Sequence, residues 1–471
     1  MRTERDTMGQ VQLPEQALWG AQTQRALENF PISGETFGST FIRALGLIKI
    51  AAARANHQMG RLDDPEAEAV ITAAEQVSAG HWDDHFPVDV FQTGSGTSTN
   101  MNANEVIANL ANRQLGGRVG AYRPVHPNDH VNLSQSSNDV FPTAIHLAAV
   151  LAVREELIPA LHDLQETLTG HAETYQEVVK TGRTHLQDAL PVRMGQVFGG
   201  YAAQIRKTIS RLELVLERLC VLPLGGTAVG TGANRPEDFP ALAVNFLSES
   251  TGEKFSVTEN HMEGNASRDD LVEASGMIKT AAVGLTKIAN DLRWMASGPR
   301  AGLGEIALPK VQPGSSIMPG KNNPVVAEAL IMTAAQVIGS DAAVTQGGLG
   351  GVFELNLMMP LMAYNLLNSI HWLARAVEIF NHKTVRGIRV NRERCRVLLE
   401  GNLTLVTALA PRIGYERASE ISQEAQRSGR TILEVAREWE VLPEEDLEQL
   451  LDPTRMTKPD PREGKGSADQ D

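Results

Sequence analysis

Four short polar blocks hold the residues able to carry acid–base chemistry on a small anion. The first is Gly94-Ser95-Gly96-Thr97-Ser98-Thr99-Asn100. The second runs from His126-Pro127-Asn128-Asp129-His130 through Ser134-Gln135-Ser136-Ser137-Asn138-Asp139. The third is Thr181-Gly182-Arg183-Thr184-His185-Leu186-Gln187-Asp188, and the fourth is Gly314-Ser315-Ser316-Ile317-Met318-Pro319-Gly320-Lys321-Asn322-Asn323. Each precedes a segment of helical periodicity, so small hydroxyl and amide side chains are expected beside free backbone N–H groups and a positive dipole end. Convergence of several blocks would make a dicarboxylate site. Taken singly, Ser, Thr and Asn cap helices and Gly makes turns. Four blocks together, one with Lys321 and another with His185, exceed what capping needs. His185 lies between Arg183-Thr184 and Gln187-Asp188, a polar density that points to acid–base or orienting work.

Two rival motifs fail on spacing. Gly314 to Lys321 is similar to a phosphate-binding loop, but five residues separate its glycines and Asn322 stands where Ser or Thr would hold Mg²⁺. The pairs His81/His85 and His126/His130 have i, i+4 spacing without HExxH and sit near prolines. No metal site is expected. The only cysteines, Cys220 and Cys395, exclude a disulfide framework and a Cys-rich metal centre.

The elements that must position these blocks are long helices. Leu271, Ile278, Leu285 and Leu292 recur every seven residues, with Ala274, Ala281, Ile288 and Met295 at the +3 positions, a coiled-coil-like seam over about Ser267 to Ala296. Other long segments cover about Pro142 to Thr174, Pro191 to Leu219, Pro324 to Thr345 and Leu355 to His382, with an earlier one from Thr40 to Met59 and one starting near Asn102. Residues 1 to about 38 read as irregular. Alanine is abundant and aromatics are 5%, a bias toward closely packed helices. The fold class is therefore all-α, with an N-terminal, mostly helical domain (1–138), a central long-helix bundle (139–390), a small C-terminal helical domain (391–457) and a disordered tail (458–471). Five long rods in one chain expose alanine-lined surfaces that other copies would cover. The formal charge of 43 − 57 = −14 argues against nucleic acid and anionic membranes as partners. The N-terminus lacks a signal-peptide core and no run of about 18 apolar residues is found, so a cytoplasmic location is expected.

At these blocks the sequence resembles the class II fumarases of the aspartase/fumarase superfamily, from DTMGQVQLP and GAQTQRALENFPI to GYERASEI. The superfamily signature is GSSIMPGKNNP. The resemblance implies a three-domain subunit, a homotetramer built on a central helical core, and active sites shared between subunits. It implies a fumarate/L-malate substrate and no cofactor. Ser315 matches the base that takes a proton from C3 of malate and His185 the residue assisting proton transfer at C2. Lys321 and Glu328 complete the catalytic set, Glu328 as the carboxylate paired with the histidine. Ser95, Thr97, Ser136, Ser137, Asn138, Thr184, Ser316, Lys321 and Asn323 match substrate ligands. Arg123, His126, Asn128 and Asp129 resemble the family's second dicarboxylate site.

Family members differ in leaving group. SSND at Ser136, MPGK in the signature loop and LGGTAVGTGAN from Leu224 favour water, whereas GTSTNMN and the helix start at Pro324 occur in aspartase-like sequences too. Aspartate ammonia-lyase is the alternative, and a non-catalytic structural oligomer is the alternative of another class. Asn322, where the family has valine, and Arg193, where it has a small polar residue, are departures that leave every catalytic group in place.

Overall fold

The computed structural model describes residues 1–459, so all but the first two residues of the tail expected to be disordered lie outside the described residues. The helical expectation holds. In chain order the helices are α1 Ala21–Asn29, α2 Ser39–Gln58, α3 Asp64–Ser78, α4 Thr97–Gln114, α5 Ser137–Ala152, α6 Ile158–Thr174, α7 Met194–Leu219, α8 Phe239–Thr251, α9 His261–Ala266, α10 Asp269–Met295, α11 Val325–Gly348 and α12 Met359–Lys383, with shorter helices after Asn391. Strands among the described residues form only two-stranded ribbons. The two longest are antiparallel: β1 Arg2–Asp6 with β2 Gly9–Leu13, and β3 Val179–Thr184 with β4 Gln187–Arg193. The heptad seam of α10 is buried at Leu271, Ile278, Leu285 and Leu292 and at the intervening Ala274, Ala281, Ile288 and Met295. A buried leucine or isoleucine of this kind contributes roughly 1.5–3 kcal/mol.

The chain forms two compact units: Met1–Ala160, Thr208–Val283 and Met332–Arg375 in the first, and Leu161–Lys207, Gly284–Ile331 and the chain from Ala376 in the second. In the first, α4 is buried without a break from Ser98 to Asn112 although its sequence is polar. Three of its amides donate to main chain, Asn102 to His85 O, Asn109 to Leu18 O and Asn112 to Val125 O, while Asn100 donates to the side chains of Asn132 and Ser137. These donated bonds offset the cost of burying the amides, although Oδ1 of Asn100, Asn102 and Asn104 is left without a protein partner among the described residues. Phe37, Phe41 and Phe141 pack tilted or edge-on against one another, with centroids 4.4 to 5.8 Å apart. In the second unit, Leu405, Leu409, Ile421, Ile432 and Val435 form the core of the C-terminal helices.

Four expectations need correction. The first 38 residues are not irregular: β1, β2 and α1 are held together by Arg2, whose guanidinium donates to the carbonyls of Glu15, Ala17 and Trp19. β1 has no apolar residue, and the alternation in β2, with Val11 and Leu13 buried and Gln10 and Gln12 exposed, is too short to mark a strand alone. The helix expected from Asn102 begins at Thr97, after Gly96 with φ 74°. The segment expected from Pro142 begins at Ser137, because Ser136 and Asp139 form a reciprocal capping box that fixes the start ahead of the proline. Finally, the third polar block is not followed directly by a helix but forms the β3–β4 hairpin, and α7 begins at Met194 rather than Pro191.

One helix among the described residues, Val325–Gly348, is long and apolar enough to cross a membrane by length and composition. Only 33% of its most apolar window is buried in this chain, and Met332 is 67% exposed.

Candidate active site

The signature loop closes on itself. Gly314 N donates to Lys321 O, Asn323 Nδ2 donates to Gly314 O at 2.6 Å, and Lys321 Nζ donates to Asn323 Oδ1 at 2.9 Å. A Cβ on Gly314 would lie 2.5 Å from Lys321 O, so only glycine permits the closure. Inside the ring, Ser315 Oγ accepts from the N–H groups of Ile317 (3.2 Å) and Met318 (3.0 Å). Two main-chain dipoles therefore point at the serine oxygen, an arrangement that favours a developing alkoxide. Ser316 is exposed beside it. Lys321, Asn323 and Glu328 line one cleft of about 720 Å³ with Lys310, Arg293 and Trp294. Glu328 Oε1 lies 3.8 Å from Arg293 Nη2.

The first and second blocks belong to the first unit. Ser95 Oγ and Thr97 Oγ1 are 2.9 Å apart at the start of α4. Ser136 caps α5, its Oγ accepting from Asn138 N, and Asn138 Nδ2 donates to Ala228 O. Ser137 Oγ accepts from Asn100 Nδ2. Beneath them Lys49, fully buried, donates to Asn132 Oδ1 and Gln135 Oε1 at 3.0 Å each. Burial pushes its ammonium down to about 7, with the Asp139 carboxylate opposing. Burial likewise pushes the Asp139 carboxyl up, while N–H donation from Ser136, Thr227 and Gly225 pulls it back. Lys49 was invisible in the sequence because a lone lysine on an apolar helix has no pattern.

The third block presents Thr184 and His185 at the tip of the hairpin. His185 (φ 55°) and Leu186 (φ 61°) form the two-residue turn between β3 and β4. Both central residues have positive φ, as in the turn type that fits strand twist but normally takes Asn or Gly. For a histidine and a leucine this costs on the order of 1–3 kcal/mol each, strain of the kind found at functional sites. His185 is exposed, has no hydrogen-bond partner among the described residues, and lines a cleft of about 710 Å³ with Lys180, Arg183, Tyr201, Lys287 and Trp294.

Arg193 ends the same hairpin. Its Nε donates to Thr457 Oγ1 at 3.0 Å and its Nη1 to Glu177 Oε2 at 2.9 Å, while Gln196 Nε2 donates to Thr457 O. The departure from the family pattern thus fastens the C-terminal Arg455–Thr457 turn. Arg193→Ser is expected to cost about 1–2 kcal/mol, seen as a melting temperature lower by a few degrees with kcat unchanged. A changed KM at unchanged melting temperature would place Arg193 in substrate binding instead.

Arg123 and His126 line a separate cleft of about 420 Å³ in the first unit, with Thr3, Arg5 and Gln10 from the N-terminal ribbon. Asn128 and Asp129 do not line it; their N–H groups donate to His126 Nδ1 and so orient the ring. Arg5 went unrecognised because its ribbon did.

The structure brings Ser315, Lys321 and Asn323 into one loop, and Ser136, Ser137 and Asn138 into one helix start. It does not bring His185 to Glu328, which lines a different cleft. The Ser95–Thr97 and Ser136–Asn138 groups belong to one unit, and Thr184, His185, Ser315, Ser316, Lys321, Asn323 and Glu328 to the other.

Residues 9–339 match the lyase family model, and residues 405–458 match that of the fumarase C C-terminus. The chain is similar to the class II fumarate hydratase of Xylella fastidiosa, 53% identical over 97% of this chain and 95% of the relative. It is 54% identical to that of Halobacterium salinarum, over 97% of each chain. The crystal structure of the class II fumarase from Schistosoma mansoni superposes with a TM-score of 0.94 at 36% identity, covering 97% of this chain and 99% of that one. The chain therefore belongs to the lyase family and, within it, to the class II fumarases.

Proposed function

We propose that the protein catalyses the reversible hydration of fumarate to L-malate, in a homotetramer whose active sites draw on more than one subunit. The observation that carries the chemistry is Ser315 Oγ held by two main-chain N–H groups inside a loop closed through Lys321 and Asn323. A C–H beside a carboxylate is a very weak acid, so elimination depends on stabilising the dianion that forms. In the malate-to-fumarate direction Ser315 Oγ takes a proton from C3. The electron pair moves onto the C4 carboxylate, giving an aci-carboxylate that Lys321, Asn323 and the start of α11 neutralise. The C2–O bond then breaks, and the hydroxyl leaves as water with a proton whose delivery His185 assists. Thr97, Ser137, Asn138 and Thr184, with Ser95 and Ser136 beside them, hold the carboxylates and the departing water. Arg123 and His126 bind a second dicarboxylate apart from the chemistry.

The quaternary part of the proposal is supported by the exposed apolar side chains of α11, which a neighbouring copy would cover, and by the separation of His185 from Glu328 within the chain. A cytoplasmic location accords with a small soluble substrate.

The roles assigned here need only acid, base and anion ligands supplied by side chains. Fumarate absorbance is therefore expected to fall with time on adding the protein, in EDTA and without nucleotide. Consumption of fumarate only when ammonia is supplied would assign the ammonia-lyase reaction instead.

A further inference from the structure

The strained turn that carries His185 needs an anchor, and the structure supplies one that is itself charged. Glu305 is wholly buried. Its Oε1 accepts from Arg183 Nη1 at 2.9 Å and its Oε2 lies 3.1 Å from Lys180 Nζ. Both cations are on β3, and Arg183 is two residues before His185. The main chain of Glu305 is fixed as firmly as its side chain: its N–H donates to Met295 O, and its carbonyl accepts from Asn391 N and faces Cys395 Sγ. The other strand of the hairpin is tied down by buried Asn402, which donates to Ala189 O. The residues immediately after Glu305, Ile306–Ala307, pair with Arg389–Val390 before the chain enters the Ser315 loop. A carboxylate taken fully out of water is retained only when its partners compensate it, and here both partners belong to the hairpin that bears the histidine.

We propose that Glu305 is a positioning residue for the hydration reaction: through Arg183 and Lys180 it sets the place of the His185 turn and the electrostatic field at its imidazole. The inference rests on the assignment of His185 to the active site. The triad carries two positive charges and one negative. Removing the carboxylate charge leaves two cations in the wall of the His185 cleft with only the exposed Asp188 near them, which disfavours imidazolium. The remaining charged groups there are Lys287 and Asp291, which pair with each other, and Asp188, 3.9 Å from Arg183.

The test uses full-length protein, with oligomeric mass and melting temperature recorded for each variant. Glu305→Gln is expected to lower kcat by about a hundredfold with KM changed less than about threefold, the pattern of a misplaced catalytic group rather than a lost substrate ligand. Glu305→Asp, which keeps the charge, should recover part of that loss. Independently of turnover, acylation of His185 by diethyl pyrocarbonate, followed across pH by peptide mass spectrometry, should show its titration moved to lower pH in Glu305→Gln. If Glu305→Gln fails to assemble, Arg183→Lys, which keeps the charge but not the guanidinium geometry, is expected to show the same kcat loss at near-constant KM. Wild type without hydratase activity would overturn the proposed function, while the acylation profile would still decide the role of Glu305. An active wild type whose Glu305→Gln or Arg183→Lys variant keeps both kcat and the His185 profile overturns the inference.

Discussion

Ser315→Ala is expected to lower kcat by about 10²–10⁴-fold, the range over which a positioned base contributes, while KM moves little. The asymmetry follows from where the hydroxyl acts. Its oxygen accepts two N–H groups in the resting loop, so it is oriented before substrate arrives and adds little ground-state binding. An alanine leaves the ring intact, because the bonds that close it run from Gly314, Lys321 and Asn323. Lys321→Ala should behave differently, lowering kcat and raising KM together, since the ammonium would meet a substrate carboxylate in the ground state as well as the transition state and also donates to Asn323. Steady-state hydration rates across fumarate concentration separate the two patterns. A Ser315→Ala enzyme within about threefold of wild-type kcat, roughly 0.65 kcal/mol of barrier, would mean that the base lies elsewhere.

Much of this site was legible because its parts are local. The α10 seam announces itself through leucines seven apart, and the signature loop through a glycine, two serines and a lysine within eight residues. The capping box of Ser136 and Asp139 is equally local, but reading the helix from Pro142 passes over it. What was not legible depends on partners far away in the chain. Glu305 meets Arg183 across 122 residues, and Lys49 meets Gln135 across 86. A single charged residue amid apolar ones carries no period, so nothing distinguishes it from a solvated lysine or glutamate until the fold is known. The β3–β4 hairpin was missed for another reason. Its turn is built from His185 and Leu186, residues that disfavour positive φ, where sequence rules look for Asn-Gly. That mismatch is itself informative: local preference yields where a functional group must be presented. Hidden by its polar ribbon, Arg5 shows the converse case, in which a weak local pattern conceals a residue beside Arg123 and His126.

Two inactive variants are expected to restore activity to each other. If each active site takes His185 and Ser315 from different subunits, a mixed assembly of Ser315→Ala and His185→Asn chains contains some sites with neither lesion. Such a site receives its histidine from the Ser315→Ala chain and its serine from the His185→Asn chain. With equal amounts and random assortment each choice succeeds about half the time, so about a quarter of the sites in a symmetric oligomer are whole. The expectation has a structural footing in the single chain. His185 lines one cleft of the second unit and Lys321, Asn323 and Glu328 line another, so the histidine and its proposed carboxylate do not share a cleft. Both lesions are also mild for folding: His185 is exposed without a protein hydrogen bond among the described residues, and the bonds that close the Ser315 loop run between Gly314, Lys321 and Asn323 rather than through the serine side chain. Co-refolding the two proteins, isolating mixed oligomers by mass and measuring malate formation against each parent refolded alone gives the answer. Activity near a quarter of wild type supports sites composed across subunits. Verified mixed oligomers as inactive as their parents would mean that one chain supplies both residues or that the two never meet, and the shared-site arrangement would then have to be abandoned even if hydration itself is confirmed.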